Sequence, residues 1–214
     1  MQNIAPASRS RVPEALFGAY VVLFTICAIH PFDREVWVAE NLPILLIVVG
    51  LVATARWFRF SDAAYVMMAV LVFLHTIGGH YTFERVPFDW VTDLFGFERN
   101  HYDRMAHFSV GFYAFAFAEL LHRRRLVTTR WMVVVTPILA IFTIAAVYEI
   151  IEWLFAVGSD PTAGAAFLGS QGDIWDAQKD MLADGLGSIV AAFMYLFLRR
   201  PRMTEERRTV RGKG

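Results

Sequence analysis

Apolar residues in this chain come in long unbroken blocks, set apart by short charged segments, rather than alternating with polar residues. Six blocks stand out: Ala15–Ile29, Asn41–Phe58, Asp62–Gly79, Asp103–Leu121, Trp131–Phe155 and Asp176–Leu198. Such blocks suit helices that cross a bilayer, where a hydrocarbon core of about 30 Å asks for ~20 apolar residues. The charge-free cores of the first two are shorter. Trp37, Arg56, Trp57 and Arg59 supply the interfacial and snorkelling side chains that let short spans reach the surface. The pattern predicts an all-α, polytopic membrane helix bundle of about six transmembrane helices.

Composition strengthens this reading, with 57% hydrophobic and 15% aromatic residues in 214 positions. No Pro/Gly/Ser-rich linker divides the chain, so residues 1–214 are expected to form a single integral membrane domain. A short apolar block behind Arg9 and Arg11 could be a signal peptide, but "TICAIHPF" offers no small-x-small cleavage site, and the block reads as a retained helix. The single Cys27 lies inside that block and reads as a packing residue, so no disulfide framework is available within one chain.

The net charge is zero, yet the charges are segregated. Arg9 and Arg11, then Arg56 and Arg59, then Arg123, Arg124, Arg125 and Arg130, then the Arg-rich tail occupy alternate connections. Lys and Arg are retained on the cytoplasmic side of short loops. Both termini, with tails 1–13 and 200–214, are therefore expected in the cytoplasm of a multi-pass plasma (inner) membrane protein. The basic tail needs no nucleic-acid partner, since a topology signal accounts for it. Glu119 is expected to pair with Arg123 one turn away or to snorkel to the boundary.

With this orientation the remaining ionisable residues gather at the outer ends of four helices. "HTIGGHYTFER" brings His75 about one turn below the surface and His80 just beyond it. "NHYDRMAHF" puts Asp103 and His107 on one helix face, and "VYEIIEW" does the same for Glu149 and Glu152. Asp176, Asp180 and Asp184 form a stripe at steps of four, beside a small-residue face of Ala183, Gly187 and Ala191 that admits close helix contact. A carboxylate facing lipid near the bilayer centre costs at least ~2.5 kcal/mol, so the stripe should face the bundle interior.

The expectation is an outward-facing pocket. His75, His107, Glu149, Glu152, Asp180 and Asp184 are the candidate metal ligands, and His80, Asp103, Arg104 and Asp176 the other pocket residues. Histidine with carboxylates and no thiolate suits a divalent ion such as Zn²⁺, Mn²⁺ or Mg²⁺, although no established ligand spacing such as HExxH occurs. The same residues also suit a structural ion-pair network in which Arg85, Arg99, Arg104 and Lys179 neutralise the acids. Tyr102, Tyr113 and Tyr148 could hydrogen-bond into the pocket, while Trp90, Trp153 and Trp175 fit an outer aromatic belt. The aromatic-rich segment from His80 to Tyr102 should fold back as a lid or lie in the interface. The Gly/Ala/Ser-rich segment from Gly158 to Gln171 reads as a more mobile loop. No nucleophile motif such as GxSxG and no P-loop occurs.

Over most of its length the chain resembles the YjdF-like family of inner-membrane proteins, through "HTIGGHYTFERVPF", "NHYDRMAHF", "YEIIEW" and "GDIWDAQKDMLADGLG". That resemblance implies a membrane protein without an assigned reaction. The last half is more distantly similar to the VanZ-like family, whose pattern reads here as Asp103-Arg104-x-x-His107, Glu149-x-x-Glu152 and Asp180-x-x-x-Asp184-x-x-Gly187. Glu152 stands where that pattern has Gln and Asp184 where it has Asn, which makes the site more anionic and favours a cation or a cationic ligand.

Three functions fit. In the first, the pocket binds a divalent cation and acts on a lipid or envelope component, a metal-bound water being the nucleophile and Glu149 or Asp184 the catalytic base. The second is a small ion-coupled transporter that uses Asp176, Asp180 and Asp184 as a descending relay. The third is a non-catalytic membrane scaffold.

Overall fold

The computed structural model describes residues 10–199, and among these every regular element is a helix. In chain order they are α1 (Val12–Cys27), α2 (Arg34–Thr54), α3 (Asp62–Tyr81), α4 (Asp89–Phe95), α5 (Tyr102–Val110), α6 (Tyr113–Arg123), α7 (Arg130–Gly158), α8 (Pro161–Leu168) and α9 (Asp176–Arg199). The tails read as cytoplasmic, 1–13 and 200–214, fall largely outside the described residues. Four helices, α2, α3, α7 and α9, are long and apolar enough to cross a membrane, and α1 is a shorter apolar helix.

Burial runs opposite to that of a water-soluble bundle. Leu46, Val49, Leu139 and Phe197 are exposed, whereas Glu40, Asp180, Asp184 and Glu119 are buried. Contiguous exposed apolar surface of this extent is what lipid contact produces. The expected belt tryptophans Trp90, Trp153 and Trp175 are all on the surface.

Helix α2 starts seven residues earlier than the apolar block suggests. Asp33 caps it, its Oδ1 accepting from the Glu35 and Val36 amides at 2.8 and 3.0 Å. The cap brings about 10 Å of extra helix into the bundle and carries Glu40 inside it. Pro43 and Pro137 sit within α2 and α7, where each deprives one carbonyl of its intrahelical partner, a defect membrane helices commonly tolerate.

The fourth block is two helices in succession, α5 and α6. At the joint the Phe112 amide reaches back only to Ser109 O at 3.1 Å, and Ala114 to Gly111 O at 3.0 Å. These tighter bonds shift the register locally while the backbone stays helical. The cause is a close crossing with α9: a Cβ on Gly111 would run into the backbone of Gly187 and Ser188, and one on Gly187 into the carbonyl of Phe108. Helix α9 lies against α5, α6 and α7, and α3 against α1, α2, α5 and α6.

The half of the bundle away from the aspartate stripe is an apolar core that includes Phe115, Ile141, Ala191 and Tyr195. Near the α2–α3 and α6–α7 connections Glu119 accepts from the Ser61 amide at 2.9 Å, from the Ser61 hydroxyl at 2.6 Å and from Arg123 at 2.5 Å. The pairing with Arg123 is the expected one, and Ser61 at the cap of α3 completes it.

Gly187→Leu is expected to lower the unfolding midpoint in detergent, with overpacking at the α5–α9 crossing costing about 1–3 kcal/mol. A midpoint equal to that of the parent protein would show that the crossing is not tightly packed.

Candidate functional site

The face of α9 turned to α5 carries Asp176, Asp180 and Asp184, all buried. Over eight residues they descend about 12 Å. Outermost, Arg99 donates to Asp176 Oδ1 at 2.7 Å, and Arg104 pairs with both Asp176 and Asp180. Lys179 donates to Asp173 at 2.6 Å. Three cations thus neutralise the outer acids, as the ion-pair alternative expects. Arg85 takes no part, pairing instead with Glu84 at 3.1 Å and lying over the Phe32 ring.

One turn deeper the cations stop and histidine takes over. His107 Nδ1 lies 3.2 Å from Asp184 Oδ2, and its Nε2 lies 3.6 Å from Asp103 Oδ1 and 3.7 Å from Asp180 Oδ1. One ligand atom each from Asp103, His107 and Asp180 falls within a 4.8 Å span, compact enough for a single ion. Asp184 then stands on the other ring nitrogen, the position from which a carboxylate orients a metal-bound histidine. The second Asp184 oxygen, Oδ1, is buried with no hydrogen-bond partner, as is Oε1 of Glu149.

His75 faces a different partner. Its Nε2 is 3.0 Å from Glu40 Oε2 and 3.1 Å from the Glu40 carbonyl, and the Tyr148 hydroxyl donates to Glu40 Oε2 at 3.1 Å. Glu40, only 2% exposed, was invisible to the block pattern because it precedes the apolar run. The legible signal was upstream, in Asp33 as a helix cap followed by Glu35. Of the other tyrosines, Tyr102 donates to Leu74 O at 2.9 Å and Tyr113 to Met68 O at 3.3 Å, so only Tyr148 reaches an acid.

A cavity of about 160 Å³ joins the two histidine groups. Glu40, His75, Asp103, His107, Glu152 and Asp184 supply its polar lining. Glu149 lies one helical turn from Glu152 on α7, its Oε1 buried and without a hydrogen-bond partner. The expected pocket residues therefore divide into three places. His107, Asp103, Asp180 and Asp184 meet directly, and His75 and Glu152 share the cavity from another wall. Arg104 and Asp176 belong to the outer ion pairs. His80 lies elsewhere, its Nδ1 2.8 Å from the carbonyl of Cys27.

Both outer segments cover this site. Phe83 of the aromatic-rich segment stands edge-on to His75 with ring centroids 5.0 Å apart, while Trp90, Leu94 and Phe95 of α4 face outward. One part of the segment thus folds back over the site, as one of its two expectations had it, and the other is an exposed apolar helix. The Gly/Ala-rich segment read as a loop contains α8, capped by Asp160, whose Oδ1 accepts from Thr162 N at 2.9 Å. Gly164 lets α8 press on the Ala156 backbone, and Phe167 to Gly169 line the cavity.

The comparisons with known proteins agree with this architecture. Residues 12–201 match the family described as "Predicted membrane protein (DUF2238)". The chain is 35% identical over 193 residues to the inner membrane protein YjdF of Escherichia coli (strain K12), covering 87% of this chain and 88% of the relative. No solved structure matches. The chain belongs to the DUF2238 family of membrane proteins.

Two outcomes follow from the ion pairs. Arg104→Gln leaves Asp176 and Asp180 with less counter-charge and should cost about 3–5 kcal/mol of stability in detergent unfolding; an unchanged midpoint would show that these pairs do not hold the fold. The Lys179 hydrogen bond, followed by the Trp175 amide, holds the Asp173 carboxyl below its usual range. Its contribution is therefore present above the unfolded value of about 3.9 and is lost as pH falls toward the lowered folded value. Amide exchange at residues 169–175 should quicken below that pH and slow again on return, and pH-independent protection would contradict the anchoring role.

Proposed function

We propose that the protein is a six-span plasma-membrane protein, with both termini cytoplasmic, whose outward-facing pocket binds a divalent cation and acts on a lipid or envelope component. The topology is supported by Arg56, Arg59, Arg123, Arg124, Arg125 and Arg130, which fall in or beside the connections at the end of the bundle opposite the pocket. The inner-membrane location is supported by the named relative.

One observation carries the cation reading. Asp103, His107 and Asp180 converge within 4.8 Å, backed by Asp184 on the second imidazole nitrogen. Beyond the reach of Arg104, the acids around this point, Asp103, Glu149, Glu152 and Asp184, have no Lys or Arg ion pair among the described residues. A bound Zn²⁺, Mn²⁺ or Mg²⁺ would offset that charge and acidify a bound water. Glu149, with a buried oxygen that accepts nothing, is the candidate base.

Transport ranks second for a structural reason. Beneath Asp184 the hydroxyl of Ser188 turns back on Gly185 O at 2.7 Å, and below it lie Ala191, Ala192 and Tyr195 in the apolar core. Glu119 is engaged by Ser61 and Arg123, so it offers no free step toward the cytoplasm. The scaffold reading is supported by the outer ion pairs, and the VanZ-like likeness by the spacing of Asp103, His107, Asp180 and Asp184.

Elemental analysis of purified protein reconstituted with Zn²⁺, Mn²⁺ or Mg²⁺ tests the proposal. Near-stoichiometric metal in the parent protein, lost in a His107→Ala, Asp180→Asn variant that still elutes as a folded species, is the expected result. Equal and negligible metal in both would overturn it.

A further inference from the structure

The cavity is roofed by hydrogen-bonded segments at the loop end and sparsely walled at its side. Above it, Arg99 donates to Ser170 O and Gly169 O at 2.9 and 3.3 Å, and Asn100 and Gln171 exchange two hydrogen bonds of 3.1 and 3.0 Å. These bonds fasten the end of α8 to the segment that leads into α5, while Phe83 fills the space above Gly78. The side wall differs. Helix α2 packs on α3 and touches α8, and α7 packs on α6, α8 and α9, but no extensive seam joins α2 to α7. Among the described residues a single hydrogen bond crosses that gap, from Tyr148 to Glu40.

The facing stripes on the two helices are amphipathic along their length. On α2, Glu40 is followed by Pro43, Ile44 and Ile47, and on α7, Glu152 and Tyr148 are followed inward by Ala145 and Ile144, all lining the cavity. From Glu40 to Ile47 the apolar wall descends about 10 Å. Acids at the headgroup level above aliphatic side chains at the acyl level match an amphiphile. Glu152 is 8% exposed, lines the cavity and accepts no hydrogen bond among the described residues, and Asp184 Oδ1 is likewise unpartnered. No Lys or Arg lines the cavity, so an anionic headgroup finds no counter-charge there and a cationic one does.

We propose that the cavity binds one membrane lipid with an amine-bearing headgroup, which enters sideways between α2 and α7, its ammonium against Glu152 and Glu40 and its chain along Ile44, Ile47 and Ile144. Tyr148 is the latch on this entrance. The inference rests on reading the pocket as a ligand site and names the class of molecule it takes; the amine sits on Glu152 and Glu40, apart from the Asp103, His107 and Asp180 atoms that converge for a metal, while both draw on the charge of one acidic cluster.

The test uses full-length protein in liposomes that carry a trace of lipid with a photoactivatable acyl chain, the headgroup being phosphatidylethanolamine in one arm and phosphatidylglycerol in the other. Labelled residues are mapped by mass spectrometry. Phosphatidylethanolamine should label positions 43–47 and 144–148 in excess, and Glu152→Gln should cut that excess by about tenfold, the equivalent of ~1.4 kcal/mol. Ile144→Trp, and independently Ile47→Trp from the other wall, should suppress labelling by blocking the seam. Equal labelling by both headgroups, or labelling unaffected by Glu152→Gln and by both tryptophans in proteins that elute as folded monodisperse species, would overturn the proposal. The His107→Ala, Asp180→Asn variant separates the two readings: labelling that persists in it, where no metal binds even the parent protein, overturns the metal and keeps the lipid. A parent protein that binds metal but shows no amine preference keeps the metal and overturns the lipid.

Discussion

A carboxylate moved into a bilayer must be compensated where it stands, because neither water nor salt reaches it to screen its field. The structure meets this constraint in two layers. At the N-terminal end of α9 Arg99, Arg104 and Lys179 stand against Asp173, Asp176 and Asp180. One turn deeper, histidines stand alone against more acids than they can balance. The first layer ties α5 to α9, and the second leaves Asp103, Glu152 and Asp184 without a Lys or Arg ion pair among the described residues.

Small residues make the first layer possible. Gly111 and Gly187 bring the backbones of α5 and α9 together, which sets the distance at which Arg104 meets two aspartates and His107 meets Asp184. A larger side chain at that crossing would separate the helices and open every pair above it. Packing and electrostatics are therefore one design here, with the crossing as fulcrum. The local tightening of hydrogen bonds between α5 and α6 is the backbone's adjustment to it.

The two histidines divide the site by wall. His107 belongs to α5 and α9, His75 to α3 and α2, and Tyr148 of α7 closes the ring by reaching Glu40. The cavity is covered by α8 and Phe83, and no extensive seam joins α2 to α7 beside it. Below Ser188 the bundle closes into an apolar core that includes Ala191, Ala192 and Tyr195.

Block length and alternating basic connections carried the membrane character, the helical class and the end of the bundle where the acids gather, because the bilayer enforces these through local composition. Spacing of four carried the aspartate stripe and the Asp103–His107 face, since helical geometry is local too. What the sequence could not reveal was partner choice: that His75 serves Glu40, that His80 turns to Cys27, and that the Gly/Ala-rich stretch holds a helix over the cavity. Those depend on which helices touch, and helix contact inside a membrane is decided by side-chain fit between distant segments rather than by any pattern within one of them.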